Sequence, residues 1–246
     1  METKTKQLKK ILLNWYKNNK RSFSWRNTND PWKILLIEVI SQQTQIDRAN
    51  TYYQKFIKKF PTPESMSKSS LKTILKMWSG LGYNIRAKRI YESSKILAKK
   101  GFEGIYPNFE LLPGVGQYTK NAILSFAYGD KVLAVDTNLE RIITRYFGVD
   151  NTKDYVRKYS NLLLKDINSK DLNQAFMDFG SSICKSSNPI CSICPIENSC
   201  SKYFANIKGS SNKFKGSIRE IRGKIVKLLI NESHIENQKL FQEIDE

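Results

Sequence analysis

Carboxylates and cysteines are the side chains best placed to do chemistry in this sequence, because the only histidine is His234, near the C-terminus. This argues against a histidine-based catalytic triad and against a histidine-ligated zinc site. Glu38 interrupts the apolar run 34–40. Desolvation raises the pKa of a carboxyl group, so this one could carry a proton near neutrality and act as a general acid. The competing interpretation is a glutamate on the exposed stripe of an amphipathic helix.

A second carboxylate, Asp136, follows the short apolar run 132–135 and precedes a predicted helix. On position alone it is an N-cap, whose side chain accepts a hydrogen bond from the first turn of the helix.

All four cysteines of the chain lie within 17 residues, separated by gaps of six, two and five residues: Cys184, Cys191, Cys194 and Cys200. Four thiolates in so short a loop can converge on one soft-metal centre, either an iron–sulfur cluster or zinc. Zinc sites more often use paired Cys-x-x-Cys knuckles, and only Cys191 and Cys194 form one here. The spacing therefore predicts a metal centre and favours iron–sulfur.

The segment Leu112-Pro113-Gly114-Val115-Gly116 lies between two helical patterns. Glycines on either side of a small apolar residue allow a tight turn and leave amide groups unpaired. Those amides, together with the N-terminus of the next helix, suit a phosphate oxygen, although an ordinary helix–helix turn would look the same.

Helical periodicity dominates the elements that must position these residues. No stretch shows the sustained alternation and hairpin turns of strands, so we predict an all-α protein. The predicted helices cover 6–18, 32–41, 45–60, 68–78, 85–100, 117–128, 137–147, 153–167 and 171–184, with a linker at 208–213 and a basic amphipathic helix around 216–231.

Basic residues, 41 Lys and Arg against 23 Asp and Glu, give the 246-residue chain a formal charge of +18 and favour a nucleic-acid partner. The sequence shows no signal peptide and no apolar run long enough for a membrane span. We therefore expect a soluble, cytoplasmic and nucleoid-associated protein, with no membrane partner and its cysteines not in disulfides.

Three features resemble the endonuclease III and MutY glycosylases, over roughly residues 8–205. They are the cysteine spacing, the turn 112–116 (the hairpin) and the segment Glu38-Val39-Ile40-Ser41-Gln42-Gln43-Thr44-Gln45. The resemblance implies a monofunctional DNA glycosylase of base excision repair, acting as a monomer on duplex DNA that contains a mispaired or damaged base. Adenine opposite guanine or 8-oxoguanine is the expected target. The resemblance also implies a structural 4Fe–4S cluster on the four cysteines and a monovalent cation at the hairpin.

By the same resemblance, Glu38 protonates adenine N7, and Asp136, which lies 22 residues after Gly114, stabilises the positive charge that develops on the sugar. Asn138 orients water or Asp136, although Thr137 departs from the glycine common in MutY enzymes.

The DNA contacts expected from the resemblance begin with Gln42, which wedges into the base stack, and Tyr83, which intercalates beside the opposing guanine. Gly114, Val115 and Gly116 hold the phosphate backbone. Asp178 is a candidate for hydrogen-bonding the flipped base.

Tyr118 occupies the position at which endonuclease III enzymes place a Schiff-base lysine. A phenol cannot form an imine, so we expect no strong strand cleavage. Lys120 is only two residues further along, but the turn of the helix would place it on the side opposite Tyr118, so we do not expect it to replace that lysine.

Two rival functions remain open: a thymine or uracil glycosylase for mispairs with guanine, and a non-catalytic DNA-binding module on the same scaffold.

The expected architecture has two helical lobes with the active site in the cleft between them. A six-helix lobe spans 24–134 and contains the helix-hairpin-helix, and an iron–sulfur cluster lobe joins 1–23 to 135–207. A short basic C-terminal extension spans 208–246, and its segment 214–223 resembles the tail of a compact MutY branch. We therefore expect weaker discrimination of 8-oxoguanine over guanine.

Overall fold

The structure is a computed structural model in which residues 1–204 and 216–231 are described. Within those two ranges it contains helices and no β-strand. Eleven α-helices follow one another there: α1 Glu2–Asn19, α2 Pro31–Ser41, α3 Ile46–Lys59, α4 Pro63–Ser67, α5 Leu71–Trp78, α6 Ile85–Lys100, α7 Gln117–Ile123, α8 Thr137–Phe147, α9 Thr152–Leu164, α10 Ser169–Ser182 and α11 Ile218–Asn231. The prediction of an all-α protein is therefore confirmed.

Each predicted helix corresponds to an observed one, and the differences lie at ends and in short elements. The predicted helix 117–128 is α-helical up to Ile123, and its remaining residues form the π-helical turn Leu124–Tyr128. Helix α4 is absent from the prediction, which leaves 61–67 between two predicted helices. It forms because the Thr62 side chain accepts a hydrogen bond from the Ser65 amide and Pro63 starts the helix. Five residues are too few to show helical periodicity.

The chain divides into two compact units by its internal contacts, the first comprising Met1–Leu35 and Gly116–Ile207. In this first unit α1 packs against α9 and α10, and α8 packs against α9 and α10. Its core is apolar and fully enclosed, with Leu8, Leu12, Ile142, Phe176 and Phe179 all at 0% exposure. Helices α8 and α10, which carry Asn138 and Asp178, are thereby fixed against each other.

The second unit comprises Leu36–Val115 and Lys208–Glu246. Here α6 packs against both α4 and α5, and α11 contacts α5. Phe56 and Trp78 lie edge to face with ring centroids 5.6 Å apart, and both are fully buried. This core supports the loop that joins α5 to α6 and the turn that follows α2.

The predicted lobes and the two units differ in their bounds. The prediction assigns 24–35 and 116–134 to the hairpin lobe, whereas both segments belong to the first unit by their contacts. The predicted lobes and the cleft between them stay predictions. No helix within the described ranges is long and apolar enough to span a membrane. The linker 208–213 and His234 lie outside the described residues, and so do the ends of the predicted C-terminal extension.

Candidate functional site

Asp136 is the N-cap of α8, as its position in the sequence predicts. Its Oδ1 accepts a hydrogen bond from the Leu139 amide at 2.8 Å, and its Oδ2 accepts one from Asn138 Nδ2 at 2.6 Å. The structure therefore brings two of the predicted catalytic residues, Asp136 and Asn138, into direct contact. A carboxylate held at both oxygens has a fixed position, as an electrostatic role in catalysis requires.

Burial raises the pKa of Asp136, because the charged carboxylate is poorly solvated there. The hydrogen bonds from Leu139 and Asn138 and the charge of Arg141 oppose this shift without cancelling it. The carboxylate is therefore destabilised in the free protein. It will interact more strongly with a positive charge placed beside it than an exposed aspartate would.

Arg141, one turn further along α8, holds Asn138 in place. Its Nη2 donates to Asn138 Oδ1 at 2.6 Å and to the Gly180 carbonyl at 2.8 Å, and its Nε donates to the Cys184 carbonyl at 2.7 Å. A continuous hydrogen-bonded chain thus runs from Asp136 through Asn138 and Arg141 to the backbone of the first cysteine. The position of the Asp136 carboxylate therefore depends on the backbone at Cys184.

Glu38 lies in the last turns of α2 and is partly buried between Ile37 and Val39, which are each 2% exposed. The helix begins where it does because Asp30 Oδ1 accepts hydrogen bonds from the amides of Trp32 and Lys33. Its two neighbours along the chain are thus apolar and buried, and its role as a general acid stays a prediction.

Gln42 and Tyr83, the predicted DNA-inserting residues, lie in loops of the second unit. Gln42 directly follows α2, and its Nε2 donates to the Gly114 carbonyl at 3.5 Å. Tyr83 lies in the loop before α6 and is 46% exposed, with a left-handed backbone at φ 48°. An exposed aromatic side chain on a constrained backbone is available for stacking between bases.

The hairpin Leu112–Gly116 turns at Gly114, whose φ of 84° is a conformation that glycine adopts without strain. Val115 anchors the turn, since it is 7% exposed and its amide donates to the Leu112 carbonyl at 3.1 Å. Gly116 is the N-cap of α7 and makes no side-chain cap. Tyr118 lies in the first turn of that helix and is partly buried.

Asp178 is fully enclosed on α10, at 0% exposure. Its carboxylate accepts hydrogen bonds from Arg26 Nη1 at 2.5 Å and from Arg21 Nε at 2.7 Å. These charged partners hold the pKa of Asp178 below its usual value, although burial alone would raise it. A flipped base could bond this carboxylate only by sharing it with the two arginines, so the base-binding role stays a prediction.

The four cysteines line one pocket together with Arg145, Ile196 and Phe204. Cys184 Sγ accepts a hydrogen bond from Arg145 Nη1 at 3.5 Å, and Cys200 Sγ accepts one from the Lys202 amide at 3.4 Å. Burial raises the pKa of the Cys194 thiol to about 11. A positive metal charge is therefore needed to keep this cysteine as a thiolate near neutrality.

The residues of this pocket offer the kinds of ligand atom and hydrogen-bond donor that an iron–sulfur cluster needs. Four sulfur ligands and N–H donors aimed at sulfur are what such clusters use. Within 1–204 and 216–231, no group of three or more His, Cys, Asp or Glu side chains is placed closely enough to hold a metal ion.

Four arginines in these arrangements were given no role in the sequence analysis: Arg21, Arg26, Arg141 and Arg145. One signal was available, because Arg141 lies three residues after Asn138, a spacing that places two side chains on one helix face. Arg26 meets Asp178 across a long sequence separation, and no local pattern reveals such a contact.

A sequence profile of the family described as HhH-GPD superfamily base excision DNA repair protein matches residues 36–166, just over half of the chain. An adenine DNA glycosylase from Buchnera aphidicola subsp. Baizongia pistaciae is 40% identical over 207 residues, which is 79% of this chain and 58% of that protein. The chain thus spans little more than half the length of this relative. An adenine DNA glycosylase from Mycolicibacterium smegmatis is 30% identical, over 89% of this chain and 78% of its own length.

Among solved structures, that of a thermostable thymine-DNA glycosylase is similar with a TM-score of 0.74 and 30% sequence identity. The match covers 82% of this chain and 97% of that one. A structure of endonuclease III in a non-covalent complex with DNA gives a TM-score of 0.66 at 25% identity, over 81% of this chain and 96% of that one.

Proposed function

Because the chain belongs to the HhH-GPD superfamily of base excision DNA repair proteins, we propose that it is a monofunctional DNA glycosylase. Its target is adenine mispaired with guanine or 8-oxoguanine in duplex DNA. The observation that carries this proposal is the held carboxylate Asp136, bonded to Asn138 at the start of α8. The adenine DNA glycosylases among the relatives support the choice of base.

Glu38 is the general acid of the proposed reaction. It donates its proton to N7 of the adenine, and the base then departs with the electron pair of the glycosidic bond. Protonation lowers the barrier because the leaving group is neutral when the bond breaks. Partial burial between apolar neighbours supports this role, since desolvation favours the protonated form of a carboxyl group.

Asp136 stabilises the positive charge that forms on the sugar as the base departs. A buried and already oriented carboxylate needs no reorganisation at that moment, so its electrostatic effect is large. Water then adds to the sugar and gives its proton to the Glu38 carboxylate, which restores the acid. Asn138, bonded to Asp136 Oδ2, orients Asp136 or that water. The pair parallels glycoside hydrolysis, in which one carboxyl group is protonated and the other is ionised.

The hairpin, Gln42 and Tyr83 bind DNA in this proposal. Backbone amides at Gly114 and Gly116 hold phosphate without reading sequence, beside Val115, whose own amide is bonded to the Leu112 carbonyl, and a monovalent cation can assist there. Gln42 and Tyr83 enter the base stack and offset the energy needed to flip the adenine out. The formal charge of +18 supports a polyanionic partner. A monomeric state and a cytoplasmic, nucleoid-associated location stay predictions.

Tyr118 makes the proposed enzyme a glycosylase without strong lyase activity. Schiff-base chemistry needs an amine at the reacting position, and a phenol cannot replace it. The product should therefore be an intact strand with an abasic site.

Cys184, Cys191, Cys194 and Cys200 would hold a 4Fe–4S cluster. When bound, the cluster supplies structure and takes no part in base removal. The chain of hydrogen bonds from Cys184 through Arg141 to Asn138 links the shape of this loop to the position of Asp136. Loss of the cluster should therefore reduce activity by moving residues that have no contact with iron.

Removal of thymine or uracil opposite guanine is the second candidate function. The structural similarity to a thymine-DNA glycosylase favours this function. That protein is 30% identical to this chain, and so is the adenine DNA glycosylase from Mycolicibacterium smegmatis. The shared scaffold does not decide between the two, because specificity depends on the groups that contact the flipped base.

Single-turnover release of adenine from a duplex with adenine opposite 8-oxoguanine tests the proposal. Glu38→Gln should slow release by about 100-fold or more, the usual contribution of a general acid. Glu140→Gln, which removes an exposed carboxylate from α8, is the matched control and should leave the rate unchanged. Equal rates for wild type and Glu38→Gln would contradict the assignment of the acid.

A further inference from the structure

Arg86, in the first turn of α6, is buried with only 4% of its surface exposed. The two terminal nitrogens of its guanidinium donate to backbone acceptors, whereas its buried Nε has no hydrogen-bond partner among the described residues. Nη1 donates to the carbonyls of Val39 at 3.3 Å and Ile40 at 2.9 Å, to the Gln42 carbonyl in a short contact, and to Thr44 Oγ1 at 3.1 Å. Nη2 donates to the carbonyls of Leu81 and Gly82, at 3.1 Å each.

These acceptors belong to the three segments that the proposed function uses. Val39 and Ile40 lie in the last turn of the helix that carries Glu38, where carbonyl groups have no amide donor further along the helix. The Gln42 carbonyl belongs to the proposed wedge residue itself. Leu81 and Gly82 directly precede Tyr83, the proposed intercalating residue. One side chain therefore ties together the end of α2 and two loops distant in sequence.

Both loops have backbone conformations that need external support. Gln43 and Tyr83 have φ values of 55° and 48°, in the left-handed region that non-glycine residues rarely adopt. Such residues persist only where their surroundings hold them. Thr44 adds to this support, because its hydroxyl accepts from Arg86 and lies 3.3 Å from the Gln42 carbonyl, to which it donates.

The guanidinium is also fixed from its faces, since its central carbon lies 5.1 Å from the ring of Trp78 and 5.7 Å from the ring of Tyr83. Burial lowers the pKa of Arg86 to about 10, which leaves it cationic at neutral pH. A buried cation retains its acceptors because losing them would leave the charge uncompensated. Arg86 thus holds the loops in one arrangement.

We propose that Arg86 is a positioning residue for base extrusion, presenting Gln42 and Tyr83 to the DNA in the arrangement that displaces the target base. The inference rests on the proposed function, because it takes these two residues as the ones that enter the base stack. Arg86 itself acts through them and touches no reacting atom. Its loss should therefore affect unstacking of the base more than breakage of the glycosidic bond.

The test compares two duplexes with Arg86→Lys, which keeps the positive charge but lacks the planar fork of donors. In one duplex adenine faces guanine, and in the other it faces an abasic analogue, so that no base pair has to be opened. Single-turnover adenine release by the variant should fall at least tenfold more on the paired duplex than on the unpaired one, as expected for lost hydrogen bonds from a charged group. Lys99→Gln, at the exposed end of α6, is the control and should match wild type on both.

Equal losses on both duplexes would overturn the inference, because they indicate a general structural defect or a role in bond breakage. If Arg86→Lys does not unfold cooperatively, Thr44→Val is used as the test variant. It removes one hydrogen-bond acceptor of Arg86 and leaves Arg86 in place. Its adenine-release rate should also fall more on the paired duplex than on the unpaired one, but by a smaller factor than for Arg86→Lys. An unselective Thr44→Val would equally overturn the inference. Wild-type protein that releases no adenine from either duplex would refute the proposed function, which separates that failure from a failure of the role of Arg86.

Discussion

Replacing Gly180 with alanine tests how closely Asp136 depends on Asn138. Gly180 is buried on α10, and a Cβ added to it would lie 2.5 Å from Asn138 Cβ and 2.8 Å from Asn138 Oδ1. Ordinary contact begins near 3.4 Å, so the two must separate by about 1 Å, a misplacement that can cost on the order of 100-fold in rate. Because the closest atom is a Cβ, a rotamer change cannot relieve the overlap, and α8 itself must shift.

The effect on stability is smaller than the effect on rate. Alanine is favoured over glycine inside a helix by about 0.5–1 kcal/mol, whereas overpacking a core costs about 1–3 kcal/mol. The variant should therefore lose at most about 2.5 kcal/mol of unfolding free energy, which leaves it folded. Urea unfolding and single-turnover adenine release on the same sample measure the two effects separately.

Gly223→Ala is the matched control, because Gly223 is also helical and nothing lies within 4 Å of an added Cβ there. It should gain about 0.5–1 kcal/mol of stability and keep the wild-type rate. A Gly180→Ala protein that releases adenine at the wild-type rate would refute the argument that Asn138 fixes the catalytic carboxylate.

Four further predictions follow from the site. Asp136→Asn should abolish activity yet raise the urea midpoint at neutral pH. Burial raises the pKa of Asp136, so the protonated form stabilises the fold at low pH, and that contribution is lost as pH rises through the raised pKa. The difference in urea midpoint between the variant and wild type should therefore be larger at pH 7 than at pH 4, and the same difference at both pH values would contradict this. The wild-type release rate should correspondingly fall as pH drops through the raised pKa of Asp136, and a rate that stays flat in acid would argue against an ionised carboxylate in the reaction. Arg141→Lys should lose about 2–4 kcal/mol of unfolding free energy, because buried carbonyls are left without donors; a loss in urea titration similar to that of an exposed Arg157→Lys would count against it. Cys194→Ser should lower the iron content of purified protein and its visible absorbance, whereas Ser192→Ala should leave both intact.

The fold was largely predictable from the sequence because its helices are long and periodic. Their apolar faces at three- and four-residue spacing mark α1, α3 and α6 clearly, and turn residues mark their ends. Helix α4 could not be found in this way, since it rests on a local cap between Thr62 and Ser65. Propensity and periodicity describe neighbours along the chain, which is why a five-residue element escapes them.

The candidate site was predictable where a single segment forms it. Asp136 as an N-cap needs only the residues that follow it, and the structure places it as that pattern predicts. The contacts of Asp178 with Arg21 and Arg26, and of Arg86 with the end of α2, join residues far apart in sequence. Without an alignment of related sequences, only the three-dimensional structure shows that these groups meet.

The most direct test of the central claim is the identity of the base that the wild-type protein releases. Four duplexes, with adenine opposite 8-oxoguanine, adenine opposite guanine, thymine opposite guanine and uracil opposite guanine, would be incubated with excess protein. The released bases would be identified by mass spectrometry, and strand cleavage would be followed with and without alkali. We expect adenine from the first two duplexes only, with nicked strands appearing only after alkali. Release of thymine or uracil with adenine retained would contradict it and assign the protein to mismatch repair at guanine.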